Sequence, residues 1–520
     1  MPKFFQKYQL LLSILAILFL ATVLRFYKLG AVPHGMTWDE AAIGYNGYAI
    51  FKTRRDEWLF KLPTSFRSFG DYKAPLAIYL NGLFTFFGGM NLWAVRLPFA
   101  IAGVLAVVGM MLLTNQLFKN KQLALLAGLL MTLSPWHLHF SRIGFESGLA
   151  LAFLIWAIYL FLKFNKFSFL VAGILAVAAI YSYHSAKIVL PLLFLVLLIL
   201  NKKFVIKKLP GLLGSGILAL LLLLPFLKDA LWGKGLERAG TLIFSQSDSL
   251  ISGSTLFIKQ FILHLTPQFL LLGQTTTLRH GAGTWGVFLP STLVLIIASL
   301  FFVKKNIKNN NFKLAICWVI IGILPAALGT DGVPHQNRAL LALPGFLLLA
   351  VIGFSNLVEA IGQSRLNKKI IGSHGEKNVL VKSFAVSFLL IHGIFFLKYL
   401  NYYYSDFAKN SAAAFQDGYI AAFNFIKPYE ESKDKIIFTS EYGQPYIYAL
   451  FAKKTNPIWY QGGALVKYEF TDKIGFGDRD RKNSIIVTGQ KVGLDLPIHE
   501  ADKIIYGSDG EVRFKIYLTE

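Results

Sequence analysis

Residues 93–117 read WAVRLPFAIAGVLAVVGMMLLTNQL, a stretch that is apolar almost throughout. Its length exceeds the roughly 20 residues an α-helix needs to cross a bilayer core of about 30 Å. Working outward, further apolar runs fall at 8–24, 122–136, 147–162, 167–182, 186–200, 210–227, 286–303, 314–329, 338–357 and 383–400. The composition agrees. Of 520 residues, 55% are apolar and 15% charged, and Phe alone (46) outnumbers Asp and Glu together (28). A soluble globular chain carries roughly 25% charged residues. A disordered chain, a soluble enzyme and a disulfide-stapled secreted scaffold are excluded. The expected fold is a polytopic α-helical membrane protein of about eleven transmembrane helices plus juxtamembrane helices, ending in a small α/β domain.

The net charge of +24 would suggest nucleic acid in a soluble protein. Here it is read as topology, because cytoplasmic loops collect Lys and Arg. With the N-terminus inside, segments 1–7, 118–121, 163–166, 201–209, 304–313 and 358–382 carry 19 Lys and Arg against Glu359 and Glu376. That excess of 17 is orientation signal, and no nucleic-acid partner is expected. The same parity puts 25–92, 137–146, 183–185, 228–285, 330–337 and everything from 401 on the outer side of a plasma (inner) membrane. The first run is followed by Arg25-Phe-Tyr-Lys28 with no small-residue cleavage site, and reads as an uncleaved signal anchor. The single cysteine, Cys317, allows no internal disulfide.

Two domains are expected, a transmembrane part over 1–400 and an extracytoplasmic α/β domain over 401–520. The latter holds 15 basic and 16 acidic residues, the balance of a water-exposed domain. Its β-rich runs (KIIFTS, NSIIVTG, KIIYGS, VRFKIYL) alternate with helical ones (AAFNFIKPY, PYIYALFAKK). The stretch 76–89, LAIYLNGLFTFFGG, is too short to span and reads as an interfacial or re-entrant helix, with 254–272 as a second such element.

Five clusters bear chemistry. Asp39-Glu40, in HGMTWDEAAIGYNGYAI, sets adjacent carboxylates in an aromatic, nearly uncharged context. They are read either as a general base or ligands for Mg²⁺ or Mn²⁺, or as the N-cap of the helix that follows. Arg142 and Glu146, four apart in SPWHLHFSRIGFESGLA, share a face if the turn is helical. His184 and Lys187 sit in a short outer loop, where a lysine runs against the charge trend. Arg279 and His280 precede three glycines, whose backbone N–H groups could approach an anion. His335 and Arg338 stand at the mouth of 338–357, where an Arg fork suits phosphate. Interfacial snorkelling or structural ion pairing is the bland alternative for each basic residue.

The order of these motifs resembles the GT-C membrane glycosyltransferases of the protein O-mannosyltransferase and aminoarabinose-transferase superfamily. An acidic pair leads into KAPLAIYLNGLFTFFGGMNLWAVRLPFAIAGVLAV, then SPWHLHFSRIGFES, a basic cluster and PHQNRALLALP. The likeness covers 8–357 and is densest over 36–160, its most specific part being P-L-x-x-Y-L followed by F-G-G-x-N-x-W-A-V-R-L-P. It implies inverting transfer from a polyprenyl-phosphate sugar to a lipid, glycan or protein hydroxyl on the non-cytoplasmic face. Under it Asp39 matches the catalytic carboxylate and Glu40 its acidic neighbour. Arg142 matches the basic residue of the loop after the third span, and Glu146 falls where many members place Asp. His335 and Arg338 match the basic cluster near the lipid phosphate. The tail after 400 is similar to outward-facing domains of bacterial relatives. A transporter or flippase, and a non-catalytic envelope-assembly protein acting through Tyr402-Tyr403-Tyr404 and EYGQPYIYALF, are the readings from other classes. The cofactor reading stays open between a divalent metal, Mg²⁺ or Mn²⁺ on Asp39 and Glu40, and none.

Overall fold

The computed structural model describes residues 3–233, 240–364, 379–478, 480–493 and 496–520. The basic stretch expected within 358–382 falls largely on 365–378, outside the described residues. Every apolar run is helical over most of its length. In chain order the first helices are Lys3–Phe26 (α1), Trp38–Thr53 (α2), Pro75–Gly88 (α3), Leu92–Phe118 (α4), Lys121–Thr132 (α5), Pro135–Phe140 (α6), Glu146–Phe161 (α7), Lys166–Ser182 (α8) and Ala186–Leu200 (α9). The later runs become Leu209–Trp232, Pro290–Phe301, Asn310–Ala327, Leu343–Gln363 and Val379–Tyr404. Six helical stretches are long and apolar enough to cross a membrane unaided, and the others at the expected spans are shorter. The run 122–136 is not one helix. Ser134 accepts from the His137 backbone N–H (3.3 Å) and Pro135 opens α6, so the chain breaks after α5.

The chain divides into two compact units, residues 1–27 with 99–403, and residues 28–98 with 404–520. In the larger unit, helix Leu343–Gln363 packs on Pro290–Phe301 and on Asn310–Ala327, and α7 packs on α8. Gly353 permits the first of these contacts: a Cβ there would lie 1.8 Å from the Leu295 carbonyl oxygen. The outward faces are apolar, with Leu12 and Phe19 of α1 and Leu213, Leu220 and Leu224 of Leu209–Trp232 all exposed. Helices that are apolar on both their packed and exposed faces are those of a bilayer protein.

The smaller unit joins the first long loop to the C-terminal segment. Strands β1 (Phe66–Ser68) and β2 (Asp71–Lys73) form a hairpin. Strands β3 (Lys435–Thr439), β4 (Tyr468–Thr471), β5 (Ser484–Thr488), β6 (Lys503–Tyr506) and β7 (Val512–Leu518) form a mixed sheet in the order β4-β3-β5-β7-β6. The β4-β3-β5 part is parallel, and β7 is antiparallel to both β5 and β6. One core serves both sequence segments: Met36, Tyr45 and Val95 pack with Tyr419, Phe423, Phe438 and Tyr448. The Tyr448 hydroxyl donates to the Met36 carbonyl (2.8 Å) and that of Tyr45 to the Thr455 carbonyl (2.9 Å). The compact units therefore do not part at 400/401, a position inside helix Val379–Tyr404. The stretch 76–89 is α3, packed against α2 through Gly47 and Gly82, where a Cβ on Gly47 would meet the Gly82 nitrogen at 2.7 Å. The stretch 254–272 is occupied by helices Leu250–Leu263 and Pro267–Leu270.

Candidate active site

In the smaller unit the two adjacent carboxylates diverge. Helix α2 is capped by Thr37, whose hydroxyl accepts from the Glu40 N–H (3.1 Å) while Glu40 Oε2 accepts from the Thr37 N–H (3.0 Å). This reciprocal capping box satisfies two orphan donors, so the cap is Thr37 and not Asp39. Glu40 also takes the fork of Arg96, Nε to Oε1 at 2.7 Å and Nη2 to Oε2 at 3.2 Å. Arg96 spends its remaining donors on the carbonyls of Leu29, Pro33 and Gly35. Arg96 is wholly buried and the Glu40 side chain keeps 1% of its surface exposed, whereas Asp39 keeps 17%. Asp39, one residue earlier on the helix, projects elsewhere and pairs with Lys73, which the β1–β2 hairpin carries. Its place in the first turn of α2 also suits a negative charge.

In the larger unit the basic residues fall into a connected group. The Arg142 Nη1 donates to the carbonyls of Leu24 (2.7 Å) and Arg25 (3.2 Å), and its guanidinium stands 5.8 Å from the Tyr403 ring centre. Tyr403 lies against His139, and His139 Nε2 is 3.2 Å from the Arg279 carbonyl. His280 stacks on His335 at 4.4 Å, and the His335 N–H donates to His264 Nε2 (3.0 Å). Arg25 lies fully buried nearby in the fold, its Nη2 2.6 Å from His137 Nδ1. The expected helical face shared by Arg142 and Glu146 does not form. Residues 141–143 are turn and bend, 144–145 are irregular, and α7 starts at Glu146, which is buried in its first turn. Of the three glycines after His280, Gly281 leaves room for the Gln336 side chain and Gly286 packs on the Leu270–Leu271 backbone, so both serve close packing.

The remaining pair of clusters is split differently from its sequence order. His184 and Arg338 line one small pocket of about 90 Å³ with Thr241 and Gly329. Lys187 is 3.1 Å from His184 Nδ1 and sits 4.4 Å from the Phe226 ring centre, while Arg338 forks onto Asp331 at 2.8 and 3.0 Å. Among the described residues no three His, Cys, Asp or Glu side chains group closely enough to hold a metal ion.

Sequence reading passed over Arg96, Lys73 and Arg25. A charge inside or at the end of an apolar run was the available signal for two of them, since such charges are retained only where something pairs them. It also passed over Glu57, wholly buried in the smaller unit, whose Oε1 accepts from Asn46 Nδ2 (3.2 Å). Burial raises its carboxyl from 4.5 to about 8. The folded state thus keeps a proton that the unfolded chain releases. The resulting stability is fully present below about pH 4.5 and is lost as pH rises through about 8; the thermal midpoint should fall across that window. Glu57→Gln should flatten the fall, measured by thermal unfolding between pH 5 and pH 9; an unchanged slope in the variant would assign the effect elsewhere.

Comparison with known proteins agrees with this architecture. Residues 72–228 match the family model described as dolichyl-phosphate-mannose-protein mannosyltransferase. Among solved structures, the fold is similar to ArnT of Cupriavidus metallidurans bound to undecaprenyl phosphate (TM-score 0.56, 10% identity, 97% of each chain covered). It is also similar to the oligosaccharyltransferase AglB of Archaeoglobus fulgidus in complex with an inhibitory peptide and a dolichol-phosphate (TM-score 0.51, 15% identity). That alignment covers 86% of this chain and 64% of AglB, so the chain spans less than two thirds of the oligosaccharyltransferase. No curated protein matches the sequence. The protein is a multi-pass membrane protein with the GT-C glycosyltransferase fold.

Proposed function

We propose that the protein is an inverting glycosyltransferase that moves a sugar from a polyprenyl-phosphate carrier to a hydroxyl acceptor on the non-cytoplasmic face. The observation that carries this reading is the separation of the two carboxylates. Glu40 is held by Arg96 and the Thr37 cap, while Asp39 stands partly exposed beside Lys73. A carboxylate that stays partly exposed can come within hydrogen-bond reach of an acceptor hydroxyl, which is the first requirement of a general base. The acceptor oxygen attacks the anomeric carbon, its proton passes to Asp39, and the bond from that carbon to the phosphate oxygen breaks with inversion. The departing polyprenyl phosphate carries the negative charge away, and preorganised cations stabilise it as it develops. Arg142, Arg279, His280 and His335, already linked in one group, are the proposed phosphate-side residues. Arg338 and Lys187 are engaged by Asp331 and Phe226 and are assigned to positioning, together with His184 and Glu146.

The test is release of polyprenyl phosphate from a panel of polyprenyl-phosphate sugars by the purified protein, with and without EDTA. Release from one donor, rising when membrane extract supplies an acceptor, is the expected result. The chelator arm reports whether a divalent cation assists. Silence with every donor would overturn the reading and favour a transporter.

A further inference from the structure

The smaller unit contains a cleft of about 610 Å³ that the transfer chemistry does not use. Its walls include Trp58 and Arg67 from the first long loop and Tyr446, Tyr460, Tyr468 and Gln444 from the C-terminal segment. The aromatic surfaces are ordered. Tyr446 and Tyr460 lie nearly parallel, 13° apart with centres separated by 6.4 Å, and Tyr468 and Phe470 lie 21° apart at 5.6 Å. The Trp58 indole N–H donates to the Arg67 carbonyl (3.2 Å), and the Arg67 guanidinium covers the indole at 4.6 Å. Behind this wall the Glu57 carboxyl is hydrogen-bonded to Tyr446, and its backbone carbonyl accepts from Gln461 Nε2 (2.6 Å). Tyr446 is thus held from behind, while Arg67 is exposed and Trp58, Tyr446, Tyr460 and Tyr468 are each half-buried.

Half-buried, pre-oriented rings interspersed with hydroxyl, amide and guanidinium groups form a surface of mixed character. The Tyr446 and Tyr468 hydroxyls are already bonded to Glu57 and Glu430, but an aliphatic ligand would leave Gln444 and Arg67 without partners on binding. A pyranose has an apolar C–H face for the rings and a hydroxyl rim for the polar groups, and it meets both demands. We propose that this cleft binds a saccharide chain and, resting on the transfer reading above, that this chain is the acceptor.

The experiment uses the full-length protein in detergent without any donor, titrated calorimetrically with mannotetraose, cellotetraose and chitotetraose. Binding of at least one probe is expected, weakened about tenfold by Tyr460→Ala and by Arg67→Ala. Arg67 is exposed, so its variant keeps the fold and reports on contact alone. No binding of any probe, or wild-type binding by both cleft variants, would overturn the proposal. Cleft-dependent binding in a protein that releases no polyprenyl phosphate would leave the saccharide site standing and remove its role as acceptor site.

Discussion

Asp39→Asn should lower transfer by about 10²–10⁴-fold while leaving the protein folded and inserted, since that is the usual contribution of a positioned general base. The structure explains why the fold should survive. The cap of α2 is made by Thr37 and Glu40, so Asp39 is not needed to start the helix. An asparagine has nearly the same shape and keeps an oxygen for Lys73, but it has no basicity with which to take the acceptor proton. Asp39→Glu is a sharper test of geometry. It restores the carboxylate but moves it by roughly 1 Å, a displacement that by itself can cost on the order of 10²-fold in rate. The measurement is single-turnover release of polyprenyl phosphate, with size-exclusion profile and thermal midpoint recorded for each variant. Turnover near wild type in Asp39→Asn would remove the base from this position.

The fold was readable where one physical signal dominates. Apolar runs of bilayer length became helices because a backbone in hydrocarbon must satisfy its own hydrogen bonds. Ser134-Pro135 shows where composition misleads, since the run stays apolar through a capped helix break. The C-terminal sheet was readable from its β-branched strands, except β4. Its sequence, YEFT, is four half-buried residues with Glu469 among them, too short for an alternating pattern to emerge. The division of the chain was harder to see. Charge balance identifies which residues face water, and it says nothing of which segments share a core. Met36, Tyr45 and Val95 join Tyr419 and Tyr448 through contacts made hundreds of residues apart. The same limit applies to the site. Asp39 was conspicuous as a carboxylate in an aromatic setting, but its difference from Glu40 depends on Arg96, 56 positions further along. The spacing of Arg142 and Glu146 failed for a local reason, the irregular backbone at 141–145.

The Arg96–Glu40 pair supports the second large prediction. Both side chains are out of water, and removing one partner leaves the other as an uncompensated buried charge, which costs about 3–5 kcal/mol. Arg96→Met should therefore lower the thermal midpoint by roughly 10 °C, and it also strips donors from the carbonyls of Leu29, Pro33 and Gly35. Replacing both partners, Glu40→Gln with Arg96→Met, removes the stranded charge and should recover part of that loss, the carbonyls of Leu29, Pro33 and Gly35 still lacking the donors of Arg96. Glu40→Gln alone separates two roles for this residue. Its amide oxygen can still accept from the Thr37 N–H, so the helix start persists, but Arg96 loses its counter-charge. If Glu40 only positions the segment that bears Asp39, stability and activity should decline together, and the fraction that remains folded should turn over near the wild-type rate. If Glu40 took part in the chemistry, transfer would vanish even in the molecules that remain folded. The distinction needs only active-site titration alongside unfolding, because the first outcome alters the number of competent molecules and the second alters the rate of each.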